Sequence, residues 1–303
     1  MVTLLERLIL KPSYKTKFGE AFNSPIEDFI KSDNFKSLRG KVDLILTSPP
    51  YPLVSPKAYG NRVGEDYKNW LADIMIELKT LLKPKGSMVI EIGNAWEKGI
   101  PTMSTLPLET LIDIKNKSGL SVCQQFIWNN PNKLPGPATW VNIKRVRVKD
   151  SFTHVWWYSN TPNPNANNSK VLTPYKDGMK KLLERQDYNR GLRPSGHSIG
   201  EGFLIQNKGS IPSSVLTFPN TLETKEYRDW CKKIGVSQHP ARMPEKLVEF
   251  FVKFLTKKNG LVLDPFGGSN TTGKVSQDLS RRWVYIEQNK DYVLGSKGRF
   301  RSK

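Results

Sequence analysis

The sequence predicts an α/β fold: an open, doubly wound, mostly parallel sheet interrupted by an insertion. Three observations carry that reading. Short apolar runs of strand length alternate with amphipathic stretches of helix length toward both ends of the chain. Two of the runs end in stiff or glycine-rich turns, the kind that α/β sheets place at the carboxyl ends of their strands. Between Asn160 and about Ser237 the apolar periodicity fades into an irregular stretch that includes the polar loop Asn163-Pro164-Asn165-Ala166-Asn167-Asn168-Ser169. The expected segments are 1–159, 160–237 and 238–303, the middle one inserted into a single layered domain. No internal repeat is visible.

Taken in order, Val42–Thr47 is an apolar run stopped at Ser48-Pro49-Pro50, which reads as a buried strand. Residues 67–82 place Tyr67, Trp70, Leu71, Ile74, Leu78 and Leu81/Leu82 at helical spacing, and Pro84 and Gly86 close that helix. Ser87–Ile92, Cys123–Trp128 and His154–Tyr158 read as further strands. Pro244–Leu255 is helical again, followed by strands at Leu261–Leu263 and Trp283–Ile286.

Charge narrows the class of partner. Lys and Arg number 47 against 28 Asp and Glu in 303 residues, a net charge of +19. The excess is regional. Residues 115–150 hold Lys115, Lys117, Lys133, Lys144, Arg145, Arg147 and Lys149 against Asp150 alone, and 274–303 is also basic. A groove tracking a phosphate backbone has this pattern, although a basic surface kept for solubility has it too. Hydrophobic residues at 37% exclude wholesale disorder. No apolar run is long enough to span a membrane, and no signal-peptide layout opens the chain. Cys123 and Cys231 are too few for a disulfide scaffold or a cysteine zinc site, and the three histidines are not at ligand spacing. A cytoplasmic protein without metal or membrane contact is expected.

Two turns carry chemistry. Leu261-Val262-Leu263-Asp264-Pro265-Phe266-Gly267-Gly268-Ser269-Asn270 is a strand, a tight turn and a helix start. Its glycines let the backbone approach a ligand. Glu287, about twenty residues on at the end of the next strand, stands where nucleoside-binding sheets hold a ribose diol. Gly268–Lys274 also fits part of a phosphate loop, but Val275 replaces the hydroxyl that loop uses for magnesium. The other turn, Thr47-Ser48-Pro49-Pro50-Tyr51, offers rigid oxygen acceptors beside an aromatic ring, which suits a flat ligand bearing an amino group. A proline-rich turn with a packed tyrosine is its plain structural alternative.

Together the turns resemble those of the S-adenosylmethionine-dependent DNA amino-methyltransferases, in the β-class order with the catalytic turn first and the cofactor turn last. Ser rather than Asp or Asn before Pro-Pro marks the cytosine-N4 branch of that family. The resemblance extends to His239-Pro240-Ala241-Arg242-Met243-Pro244, Lys133-Leu134-Pro135, Arg147-Val148-Lys149-Asp150, His154–Tyr158 and Arg193-Pro194-Ser195-Gly196-His197. The Gly-Asp pair that relatives carry ahead of the catalytic strand has no evident counterpart in residues 16–30.

The resemblance implies a Rossmann-like methyltransferase sheet with an inserted target-recognition region, and S-adenosylmethionine as cofactor. Asp264, Phe266, Gly267, Gly268 and Ser269 would bind that cofactor, with Glu287 on its ribose. Ser48, Pro49, Pro50 and Tyr51 would receive a flipped cytosine, with Glu91 near the reacting amine. Double-stranded DNA is the expected partner, its phosphates met by Lys144, Arg145, Arg147 and Lys149. Arg193, Ser195 and His197 are candidates for base reading, with a solvated loop as the alternative. A cognate restriction endonuclease would share the site. Carbon-5 methylation is disfavoured, because that chemistry uses a cysteine after proline, whereas Val122 precedes Cys123 and Trp230 precedes Cys231. Adenine-N6 methylation and a non-catalytic DNA-binding protein on the same fold remain the alternatives.

Overall fold

A computed structural model describes residues 8–51, 62–186, 191–196, 198–220 and 225–301. It divides into two compact units, residues 1–166 with 214–303, and residues 167–213.

The first unit is built on a nine-stranded sheet. In chain order its strands are β1 (Tyr14–Lys15), β2 (Gly19–Asn23), β3 (Val42–Thr47), β4 (Leu82–Gly93), β5 (Ser121–Asn129), β6 (Phe152–Ser159), β7 (Val215–Thr217), β8 (Leu261–Asp264) and β9 (Arg282–Glu287). Across the sheet they lie in the order β1-β2-β9-β8-β3-β4-β6-β5-β7. The run from β2 to β4 is parallel throughout, whereas β6 runs antiparallel to both its neighbours. The expected doubly wound, mostly parallel sheet is therefore present. β3 leads outward to β4 on one side and β8 leads outward to β9 on the other, so the strand order reverses between β3 and β8. Open α/β sheets bind ligands at such a point.

Burial explains the strands that periodicity located. Val42, Leu44, Ile45 and Leu46 on β3 and Val262 and Leu263 on β8 are wholly buried, as parallel strands covered on both faces should be. Helices α1 (Ile26–Lys31), α2 (Asp33–Leu38), α3 (Gly64–Lys79) and α4 (Leu106–Ser118) help to cover them. Tyr67, Leu71, Ile74, Met75 and Leu78 of α3 enter the main core with Leu111 and Ile114 of α4.

Helix α3 ends earlier than expected. Leu82 begins β4, and Pro84 and Gly86 fall inside that strand, where the pairing of β3 with β4 shifts register between Val42 and Leu44. The bulge accommodates a proline and a glycine that sequence reading takes as a helix stop.

The middle segment also departs from expectation. Residues 167–213 form the second unit, with helix α5 (Asp177–Arg185) and two short paired strands, Gly191–Leu192 and Ser198–Ile199. Residues 214–237 instead belong to the sheet unit. β7 pairs in parallel with β5, and helix α6 (Lys225–Ile234) buries Tyr227 and Cys231. Within 160–237 the separate compact unit spans 167–213, and a three-residue strand such as β7 is too brief to leave a periodic signal. Helices α7 (Glu245–Leu255), α8 (Thr271–Asp278) and α9 (Lys290–Ser296) complete the sheet unit. Among the described residues no helix is long and apolar enough to cross a membrane, and no cluster of three His, Cys, Asp or Glu could hold a metal ion.

Candidate active site

The carboxyl ends of β3 and β8 open into one cavity of about 450 Å³, and both turns expected to carry chemistry line it. Ser48, Pro49, Pro50 and Tyr51 come from the end of β3. Asp264, Phe266, Gly267, Gly268 and Ser269 follow β8, and Glu287 ends β9. The two turns lie more than two hundred residues apart in sequence. Parallel pairing of β3 with β8 makes them neighbours.

At the β3 end, Ser48 Oγ donates to Glu91 Oε2 at 2.6 Å, and the Tyr51 hydroxyl donates to the same carboxylate at 2.6 Å. Glu91 lies one strand over on β4 and is 1% exposed. Burial pushes its pKa above the ordinary carboxylate value, while the Ser48 and Tyr51 hydroxyls and the charge of Lys133 pull the other way. Because Ser48 spends its proton on Glu91, the hydroxyl oxygen is left to act as an acceptor toward the cavity. Tyr51 does more than face a base. Its ring lies against Gly93, where an added Cβ would come within 2.5 Å of it, and its phenol fixes Glu91.

At the β8 end, Asp264 is buried and its carboxylate accepts from Thr47 Oγ1 (2.8 Å), Thr272 Oγ1 (2.7 Å) and the Phe266 amide (3.2 Å). It therefore braces the two turns against each other. Burial raises its pKa from 3.8 to about 6 despite these donors. Glu287 accepts from the Gly268 amide (2.9 Å) and the Asn289 amide (2.8 Å), one on each oxygen. Burial raises its pKa too.

The turn between Asp264 and Glu287 is closely packed from behind. A Cβ on Gly267 would meet the Tyr285 ring at 2.0 Å, and one on Gly268, at φ +51°, would meet the His239 imidazole at 2.9 Å. Arg299 donates to the Ser269 carbonyl (2.7 Å) and hydroxyl (3.1 Å) and pairs with Glu245. Asn270 donates to the Tyr14 hydroxyl at 3.0 Å. His239 packs edge-on against Tyr292 and beside Gly268, on the wall of the cavity.

Several lining residues left no sequence signal. Ser24 and Glu27 reach the cavity because β2 pairs in parallel with β9, and Ser24 donates its amide to the Glu287 carbonyl at 3.0 Å. Trp70 of α3 lies 5.7 Å from Phe266, ring centre to ring centre, and Arg62 lies over Trp70. Trp70 reads as a core residue at helical spacing, and its role as a wall depends on tertiary packing. Lys274 is not among the residues lining the cavity, and it pairs with Asp278 along α8. The phosphate-loop alternative loses its lysine.

The wall chemistry fits S-adenosylmethionine. Glu287 holds backbone amides and keeps carboxylate oxygens for a ribose diol, while Phe266 and Trp70 offer aromatic faces for a purine. The glycine turn brings bare backbone to the rim between them.

The expected DNA contacts fall elsewhere. Lys144, Arg145, Arg147 and Lys149 are exposed on the connection between β5 and β6. Lys144 lies over the Trp140 ring, Arg147 Nε donates to the Pro101 carbonyl (2.9 Å), and Lys149 donates to the Pro131 carbonyl (3.1 Å). Arg193 and Ser195 are exposed in the second unit, and His197 lies outside the described residues.

A model of the DNA methylase family matches residues 42–297, and the chain belongs to that family. Among curated relatives, the type II methyltransferase M.PvuII of Proteus hauseri is 41% identical over 292 residues, covering 96% of this chain and 86% of the relative. The DNA adenine methyltransferase YhdJ of Escherichia coli (strain K12) is 24% identical over 284 residues, covering 92% and 82%. The solved structure of the PvuII DNA methyltransferase, described as cytosine-N4-specific, superposes with a TM-score of 0.78 at 34% identity over 97% of this chain and 90% of that one.

Proposed function

We propose that this DNA methylase transfers a methyl group from S-adenosylmethionine to the exocyclic N4 amine of a cytosine flipped out of duplex DNA. One observation carries the reading: Ser48 and Tyr51, which line the same cavity as the glycine turn and Glu287, both donate to the buried Glu91 behind them. The cytosine-N4 description of the similar PvuII enzyme agrees with the Ser48-Pro49-Pro50-Tyr51 turn. The adenine specificity of YhdJ keeps adenine N6 as the competing base.

The cofactor, once bound, supplies a sulfonium methyl already activated for in-line transfer. The chain's task is to make a poor nucleophile available. The N4 lone pair is delocalised into the cytosine ring, so N4 must lose planarity before it attacks. The Ser48 hydroxyl oxygen and the Pro49 carbonyl accept the two N4 protons and favour a pyramidal nitrogen. Pro49 and Pro50 keep that pair of acceptors rigid. The proton that N4 releases passes through the Ser48 hydroxyl to Glu91, whose raised pKa equips it to receive one.

On the cofactor side Glu287 takes the ribose hydroxyls, Phe266 packs on the adenine, and Gly267, Gly268 and Ser269 give the backbone approach. Asp264 acts at one remove, as the brace between the turns. Lys144, Arg145, Arg147 and Lys149 meet phosphates, and residues 167–213 with Arg193, Ser195 and His197 contribute to target recognition. Such a protein protects host DNA beside a restriction endonuclease acting on the same site, in the cytoplasm, without a metal. Incubation with methyl-labelled S-adenosylmethionine and DNA, followed by digestion to nucleosides, tests the base assignment. Label in N4-methylcytosine is expected, and label confined to N6-methyladenine would overturn it.

A further inference from the structure

The connection between β5 and β6, residues 130–151, carries an arrangement that phosphate contacts leave unexplained. It is long for a link between adjacent antiparallel strands, and apart from one helical turn at Thr139–Ile143 it is irregular, as long functional loops often are. Its two ends are tied together and to the catalytic strand. The Asp150 carboxylate accepts from Lys133 Nζ at 2.7 Å and from Asn94 Nδ2 at 2.7 Å. Asn94 directly follows Gly93, the last residue of β4, which also carries Glu91 and backs Tyr51. The Asp150 amide donates to the Gly136 carbonyl at 3.2 Å, and the Asn130 amide donates to the Ser151 carbonyl at 2.8 Å. Because Gly93 pairs with Thr153 at the start of β6, the loop leaves the sheet at the same end of the strands as the base-receiving turn.

From this pinned base the loop presents bare apolar side chains among its cations. Leu134 is 83% exposed, Ile143 75% and Val148 87%. A single exposed aliphatic residue is ordinary. Several on one anchored loop, with Val148 set between Arg147 and Lys149, form a surface whose charge seats it on a polyanion and whose apolar groups need cover. Duplex DNA supplies both. Apolar side chains inserted between base steps are a known way of holding a distorted duplex, and extruding a base opens a gap in the stack.

We propose that this loop is a wedge: Leu134 and Val148 enter the base stack beside the extruded cytosine, while the flanking cations grip the phosphates. The inference rests on the DNA methylase reading above and adds to it the side chains that keep the base from returning. The Asn94–Asp150–Lys133 contacts set the wedge's position relative to Ser48 and Glu91.

The test compares two synthetic duplexes carrying the site that the protein methylates. In one the target cytosine is paired with guanine, and in the other it faces an abasic position. Both wedge side chains are exposed, so Leu134→Ser with Val148→Ser leaves the core untouched. The double variant should lose about tenfold in turnover on the paired duplex and stay within about twofold of the parent on the unpaired one, where extrusion no longer breaks a base pair and costs least. Val148→Ile should retain parental turnover on both. An equal loss on both duplexes, or no loss on either, would overturn the wedge. So would a variant whose sole change is a shift from dimer to monomer in sedimentation, which would make the surface a contact between copies. Failure of the parent protein to methylate either duplex would strike at the underlying reading instead.

Discussion

Ser48 owes its chemistry to its neighbour. A serine hydroxyl can donate or accept, and Glu91 removes the choice by taking its proton at 2.6 Å. Replacing Ser48 with alanine should therefore lower kcat by at least about a hundredfold while the KM for S-adenosylmethionine changes little. Single-turnover kinetics separate the two effects. Glu91 should set the acid limb of the rate profile. Its pKa lies above the ordinary carboxylate value because it is buried, so activity should fall on acidification earlier than an exposed glutamate would cause. Glu91→Gln should abolish that limb together with most of the turnover. Asp264 makes a prediction about stability. Its pKa is 3.8 in an unperturbed setting and about 6 here. Between those values the folded protein holds a proton that the unfolded chain has released. Its contribution to stability is thus full below the lower value and lost as pH rises through about 6, by an amount on the order of 2–3 kcal/mol. Asp264→Asn should flatten the dependence of unfolding free energy on pH across that window, measured by urea denaturation.

Among the elements, the turn after β8 shows how a motif and its supports differ in visibility. Asp264-Pro265-Phe266-Gly267-Gly268 can be read from sequence because its demands are local: bare backbone, a positive φ at Gly268 and a helix start. Its braces cannot. Arg299 reaches Ser269 from the far end of the chain, Tyr14 reaches Asn270, and Ser24 directly follows β2, a strand too short to show alternation. Their roles follow from strand order, which no window of sequence contains. The same logic explains α6 and β7, which sit inside a stretch that reads as irregular. Gly268→Ala tests the turn directly. It forces a side chain onto a φ of +51° and into the His239 ring. The strain should weaken binding of S-adenosylmethionine by about tenfold or more, measured calorimetrically, and leave DNA affinity unchanged.

At the scale of the whole molecule, the net charge of +19 is compatible with any polyanion until its distribution is known. The connection between β5 and β6 gathers Lys144, Arg145, Arg147 and Lys149 on an exposed loop whose base is pinned to the catalytic strand. Changing Lys144, Arg145 and Arg147 to glutamine should reduce the slope of log affinity against log salt by up to about 2.7, roughly 0.9 for each phosphate no longer neutralised. An unchanged slope would remove these residues from the DNA path. The parallel centre of the sheet is legible because its strands hold short apolar runs such as Leu44-Ile45-Leu46 and Leu261-Val262-Leu263, and the reversal between β3 and β8 then brings both turns into one cavity. On that convergence the proposed chemistry depends. Its most direct test is to map modified bases in the DNA of a host expressing the protein, beside a host expressing the Ser48→Ala variant. N4-methylcytosine at one recurring sequence is expected with the parent and none with the variant. N6-methyladenine in its place, or N4-methylcytosine undiminished in the variant, would contradict the assignment.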